Sequence, residues 1–340
     1  MALDTATSAL LAQLAAQPGR KPIHQSTPQE ARAQNAALRA LYQPRPDMAR
    51  VEDRTLGDGD DRFDIRLLVP DEAPSGVLVY YHGGGWVIGD LPGFDTLGRI
   101  LAHRTGCAVA LVDYRLAPEH RFPTAVEDAW TALRWVDEHL ADIAGRRVPL
   151  IVAGDSAGGN LAAVTALRAR DEGGPDIALQ VLVYPVTNSD MDTASYRDPA
   201  NQLVLSKDTM AWFWDHYAPA EADRVRPDAA PLRAADLSGL PPTEVLTAEH
   251  DVLRDEGEAY AARLKEAGVP TRLRRFDGQM HGFFTLPGLL PGCTAAVDHL
   301  AEAVAKRLAE LPMGVERALR LPAGDPALSG TRRGAVRPAP

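Results

Sequence analysis

The chain has 340 residues, 45% hydrophobic and 24% charged, enough apolar material for a sizeable core without disulfide or metal staples. Lys and Arg number 36 against 46 Asp and Glu, a net charge of −10, and this acidic balance argues against a nucleic-acid partner, which needs clustered positive charge. Two cysteines, Cys107 in a strand-like run and Cys293 at the opening of a helix-like segment, do not make a disulfide framework or a zinc site.

The chain opens with Leu3, Leu10, Leu11 and Leu14 spaced for one helix face, and with Asp4 where a signal peptide carries lysines. An amphipathic helix and a cytoplasmic protein are expected, with no membrane span, because no apolar run approaches the ~18 residues one needs. Thr27-Pro28-Gln29-Glu30 is a capping box with Pro at the first helical position, and the helix it opens is expected to run to about Tyr42. From about residue 62 the pattern changes. Strand-like runs near 63–69, 77–81, 107–113, 149–153, 179–184, 243–248 and 271–276 alternate with helical patterns near 93–104, 123–140, 158–170, 254–267 and 293–310. That alternation predicts an α/β fold, a parallel sheet covered on both faces. An excursion at 187–240 interrupts it, with Trp212, Phe213, Trp214 and Tyr217 on a short helix begun by Ser206. Long excursions of this kind serve as lids or binding loops, although the aromatic cluster is as readily explained by core packing. Residues 321–340 are aperiodic and rich in Pro, Gly and Arg, and are expected to be disordered.

The chemistry concentrates in Pro149–Ala163. Gly154-Asp155-Ser156-Ala157-Gly158 fits G-x-S-x-G, follows an apolar strand and precedes a helix. That is the strand–turn–helix setting of a nucleophile elbow, in which glycines flank a serine because the turn has no room for Cβ atoms. A Gly-rich helix cap is the plainer explanation of the same residues. Tyr80-Tyr81-His82-Gly83-Gly84-Gly85-Trp86 leaves the strand 77–81. Consecutive glycines let a backbone approach an oxyanion and aim N–H donors at it, so Gly83 and Gly84, with Ala157 after the serine, are the expected oxyanion-hole donors. His82 is expected to hold this loop rather than to act as a base. A phosphate loop is the rival for the glycines, but neither dinucleotide nor P-loop spacing is present.

A serine nucleophile needs a base, and the base needs an orienting acid. In this strand order the acid and then the histidine follow the serine. His281 lies in the loop Asp277–Phe283 just past a strand, where α/β sites assemble, whereas His216 and His299 sit inside helical patterns. Glu249 and Asp251 both follow the strand 243–248, and position prefers Asp251 only slightly.

HGGGW at 82–86, DYRLAPEHRFP at 113–123, GDSAGGN at 154–160, EHDVLRDEGEAYA at 249–261 and MHGF at 280–283 occur in order. Together they resemble the hormone-sensitive-lipase-like bacterial esterases (family IV), in their GDSAGG subgroup, over roughly residues 40–310. The resemblance implies an α/β-hydrolase core at 51–186 and 241–312, under a helical cap built from residues 1–50 and 187–240. It implies a serine carboxylesterase acting on small short-acyl esters, with Ser156 as nucleophile, Asp251 as acid and His281 as base, and with no cofactor or metal. It makes Trp86, Tyr184, Trp212 and Phe283 candidate pocket walls, and it suggests a homodimer paired through a sheet edge. One departure is Asp251-Val252-Leu253, where the family usually reads Asp-Pro-Leu. An amidase, deacetylase or thioesterase with the same triad is the nearer alternative. A non-catalytic small-molecule receptor on this fold is the more distant one, disfavoured by the presence of His281.

Overall fold

Runs such as Val77–Tyr81 and Leu150–Asp155 have no polar face, so they are at home only in a sheet covered on both sides. The computed structural model describes residues 2–17, 19, 21–37 and 45–311. The expected extension of the second helix to Tyr42 and the tail 321–340 lie outside those residues. Two N-terminal helices, α1 (Thr5–Ala15) and α2 (Pro28–Ala37), precede the sheet. Its strands are β1 (Arg50–Leu56), β2 (Phe63–Val69), β3 (Val77–Tyr81), β4 (Ala108–Asp113), β5 (Leu150–Asp155), β6 (Ile177–Val183), β7 (Thr243–His250) and β8 (Thr271–Met280). Helices α3 (Leu91–Thr105), α4 (Thr124–Glu138), α5 (Leu140–Ala144) and α6 (Ala157–Glu172) connect β3 to β6. The excursion between β6 and β7 holds α7 (Ala194–Arg197), α8 (Lys207–Tyr217) and α9 (Glu221–Arg224), after which α10 (Arg254–Glu266) links β7 to β8 and α11 (Pro291–Glu310) follows.

The eight strands lie in the order β1-β2-β4-β3-β5-β6-β7-β8. The β1/β2 and β2/β4 pairs are antiparallel and the remaining pairs parallel. The carboxyl ends of β3, β5, β7 and β8 therefore share one edge, where an open α/β sheet builds its site. Alternate residues feed two cores: Val77, Val79 and Tyr81 face α4 and α6, while Leu78 and Tyr80 face α3 and α11. Each fully buried Leu or Val in them contributes about 1.5–3 kcal/mol. Strand β1 is absent from the sequence expectation for a physical reason. Arg50–Leu56 is an edge strand with one buried residue, Leu56, so its sequence shows no apolar alternation.

The helical starts follow local chemistry. Asp4 caps α1 by accepting from Thr7 N at 2.7 Å. Both halves of the Thr27–Glu30 capping box form, at 2.8 and 3.2 Å. Ser206 caps α8 through Thr209 N at 3.2 Å. Cys107 and Cys293 are free and buried.

Candidate active site

The site begins with backbone geometry. Ser156, between β5 and α6, has φ 56° and ψ −119°, a strained conformation for a residue with a side chain. The flanking glycines make the turn sterically feasible: a Cβ on Gly154 would overlap Gly158 O, and one on Gly158 would overlap Tyr81 O. Ser156 N donates to Val183 O at 2.9 Å, and Val186 N to Ser156 O at 3.2 Å, so β6 and its exit hold the elbow from the side.

The strand ends bring a base and an acid to this serine. His281, just past β8, places Nε2 3.0 Å from Ser156 Oγ and Nδ1 2.7 Å from Asp251 Oδ2. Asp251 is fully buried, and its Oδ1 accepts from Leu253 N at 2.9 Å. Glu249, the other carboxylate left open by position, instead accepts Gly278 N at 2.7 Å and braces β8. The loop that lacks the family's Pro is held by other means. Val252 is fully buried, and Ser195 Oγ donates to Val252 O at 2.6 Å.

The glycine turn requires a correction by one residue. The Gly83 N–H is already taken up by Asp155 Oδ1 at 2.9 Å, so it does not face a substrate oxygen. Among the described residues no hydrogen bond takes up the N–H of Gly84, Gly85 or Ala157. Gly84, Gly85 and Ala157 are thus the three donors available to an oxyanion. Gly84 and Gly85 sit at φ 110° and 60°, where L-residues are strained. His82 holds the loop: its Nδ1 donates to Gly83 O at 2.7 Å, and its ring stacks on Tyr114 at 4.3 Å and lies 5.1 Å from that of Phe94. Burial pulls its pKa down to about 4, so the imidazole is neutral.

A cavity of about 750 Å³ opens over Ser156 and His281. Leu10, Leu11 and Leu14 of α1, Leu203–Leu205 and Phe213 of the 187–240 excursion, and Leu286 and Leu289 form its apolar walls. His24, Gln34 and Thr209 add a polar flank. The four expected wall residues are not among those lining it. Trp86 is stacked on Tyr217 at 4.0 Å beside Trp214, a fully buried aromatic core. Tyr184 lies under the His281 ring at 4.5 Å with φ 34°, and Phe283 packs against Tyr184. Trp212 packs on His216. The aromatic residue of α8 that reaches the site is Phe213, whose ring occupies the space a Gly85 Cβ would need. The sequence held no signal separating Phe213 from its aromatic neighbours, because helix phase relative to the site was not legible.

A strained serine after a central strand, with a histidine and a buried aspartate delivered by later strand ends, defines a serine hydrolase of the α/β class. A family model of the alpha/beta hydrolase fold matches residues 78–285, and the chain belongs to that family. It is 40% identical to the carboxylesterase NlhH of Mycobacterium tuberculosis over 284 residues, 80% of this chain and 88% of that one. It is 44% identical to the esterase LipI of the same organism over 231 residues, 67% of this chain and 72% of the relative. Among solved structures, a thermostable esterase from Pseudomonas putida superposes with a TM-score of 0.85 at 38% identity, covering 92% of this chain and 99% of the other. No helix of the described residues is long and apolar enough to cross a membrane, and none of their His, Cys, Asp and Glu side chains group into a metal site.

Proposed function

We propose that the protein is a serine carboxylesterase of the hormone-sensitive-lipase-like branch, GDSAGG subgroup, that hydrolyses small short-acyl esters through an acyl-enzyme. The observation that carries this reading is the hydrogen-bonded chain Asp251–His281–Ser156, at 2.7 and 3.0 Å. Ser156 Oγ attacks the ester carbonyl while His281 Nε2 takes its proton, and Asp251 holds the tautomer and stabilises the imidazolium. The N–H groups of Gly84, Gly85 and Ala157 receive the oxyanion. The alcohol leaves with the proton from His281, and water repeats the sequence on the acyl-enzyme.

The cap reading, residues 1–50 and 187–240 over the core, is supported by the walls that α1 and the Gln202–Phe213 segment give the cavity. Pairing of two copies through a sheet edge belongs to the same reading, with β1 and β8 as the edges. On β8, Arg275 is tied to Glu258, which lowers the self-repulsion of that edge. Sedimentation of the purified chain tests the pairing.

A p-nitrophenyl ester series from acetyl to palmitoyl, with acetanilide and thioester substrates in parallel, tests the function. An ester rate well above the amide and thioester rates supports the esterase; the reverse order supports the amidase or thioesterase reading. Binding without turnover supports a receptor.

A further inference from the structure

We propose that Asp155, the residue between β5 and Ser156, is a positioning residue for the oxyanion loop: its carboxylate anchors the first glycine of the turn and thereby aims the N–H groups of the next two. The proposal rests on the esterase reading above. The Gly83 N–H donates to Asp155 Oδ1 at 2.9 Å, and the Tyr80 hydroxyl donates to the same oxygen at 2.8 Å. The sheet register delivers this contact. Tyr81 lies opposite Gly154 in the parallel β3/β5 pair, so one step further along each strand Asp155 meets the start of the turn. The approach is close, since a Cβ on Gly83 would overlap Asp155 Oδ2. Asp155 is 3% exposed, so the bond is shielded from water.

Position explains why the anchor matters. Gly83, Gly84 and Gly85 have no side chains with which to lock the turn, and Gly84 and Gly85 hold left-handed backbone angles. From one side His82 fixes the turn, through Gly83 O. From the other, Val87 N and Ile88 N bond back to Gly84 O at 3.1 and 2.9 Å. The carboxylate supplies the fixed point on the nucleophile's own strand, so the donors and Ser156 share one reference frame. A displacement of about 1 Å in such groups costs on the order of 10²-fold in rate.

The ionisation cost separates this role from a purely architectural one. Burial pushes the Asp155 carboxyl up to about 6, so the fold favours its neutral form and holds the anion at neutral pH at some expense of stability. An amide in its place removes that expense but gives Gly83 a weaker, uncharged acceptor.

The test measures kcat, KM, melting temperature and affinity for an aryl trifluoromethyl ketone in wild type, Asp155→Asn and Asp155→Ala. Ser156 Oγ adds to the ketone carbonyl and His281 takes the proton, so the adduct reports on the oxyanion donors. The expected result is a kcat loss of about 10-fold in Asp155→Asn and about 100-fold in Asp155→Ala, with KM within threefold of wild type. Ketone affinity should fall in parallel, while Asp155→Asn melts no lower than wild type. Should Asp155→Ala not fold, Asp155→Asn alone decides. A kcat within threefold of wild type in Asp155→Asn, a loss carried by KM, or a kcat loss with unchanged ketone affinity would each overturn the proposal. Wild-type protein that forms no ketone adduct points instead to failure of the esterase reading.

Discussion

At the scale of single residues, two carboxylates, one and three positions past the expected strand end, were nearly equivalent in the sequence, and hydrogen bonding separates them. Asp251 holds His281 Nδ1, whereas Glu249 holds a backbone N–H of β8. Asp251→Asn should therefore lower kcat by about 10⁴-fold with KM little changed, because the imidazole loses its tautomer and its counter-charge. Glu249→Gln should cost less than about tenfold, and steady-state kinetics of the two variants check the ranking. Gly158→Ala should lower the melting temperature sharply, since the new methyl would overlap Tyr81 O and overpacking costs about 1–3 kcal/mol or more. Thermal unfolding of that variant measures it. The pH profile carries the sign of the Asp155 shift. Facing its carboxylate are Tyr80 from β3, Tyr114 beyond β4, Tyr184 beyond β6 and His281 beyond β8. Its pKa is raised to about 6, so the stability it contributes is full below about 4 and is lost as pH rises through about 6, while the anion needed by Gly83 is lost as pH falls through about 6. The acid limb of kcat/KM should be steeper in wild type than in Asp155→Asn; equal slopes would show that Asp155 does not titrate with activity.

At the scale of elements, legibility tracked how directly a local rule fixes a structure. The capping box at Thr27, the cap at Ser206 and the elbow glycines were readable because each is a contact between residues close in sequence. Strand β1 was not, because its exposed polar residues obey no period and only pairing with β2 defines it. The oxyanion assignment was off by one residue for a related reason. Which of three glycines keeps a free N–H depends on Asp155, 72 residues away from Gly83. Pocket walls were the least legible, since the phase of α8 decides that Phe213, not Trp212, reaches the cavity. Helix α1 supplies Leu10, Leu11 and Leu14 to that cavity and is pinned to the histidine's strand, with Asp4 N donating to Gly278 O at 3.0 Å and the Gln279 amide bonded to the Asp4 carboxylate. Deleting residues 1–17 should therefore relax the acyl-chain selectivity and also lower kcat, as both a wall and a brace of the His281 strand are lost. Unchanged selectivity in the truncated protein would show that α1 is not part of the acyl pocket.

At the scale of the whole molecule, a sheet with parallel strands from β3 to β8 carries serine, acid and base on three strand ends, and residues of α1, α2 and the β6–β7 excursion line the cavity beside them. The proposed cap predicts an optimum near butyryl or hexanoyl esters and little activity on palmitoyl esters, which the chain-length series measures. A preference for emulsified long-chain triglyceride would contradict the proposed cap.

The central claim is that Ser156 is the nucleophile of an ester hydrolase. Mass spectrometry after treatment with a p-nitrophenyl phosphonate, paired with turnover of the butyryl ester by Ser156→Ala, tests it most directly. The account predicts one adduct per chain, on Ser156, and a variant that folds but loses on the order of 10⁴-fold or more in kcat. An adduct on another serine, or a variant retaining a tenth of the wild-type rate, would contradict it.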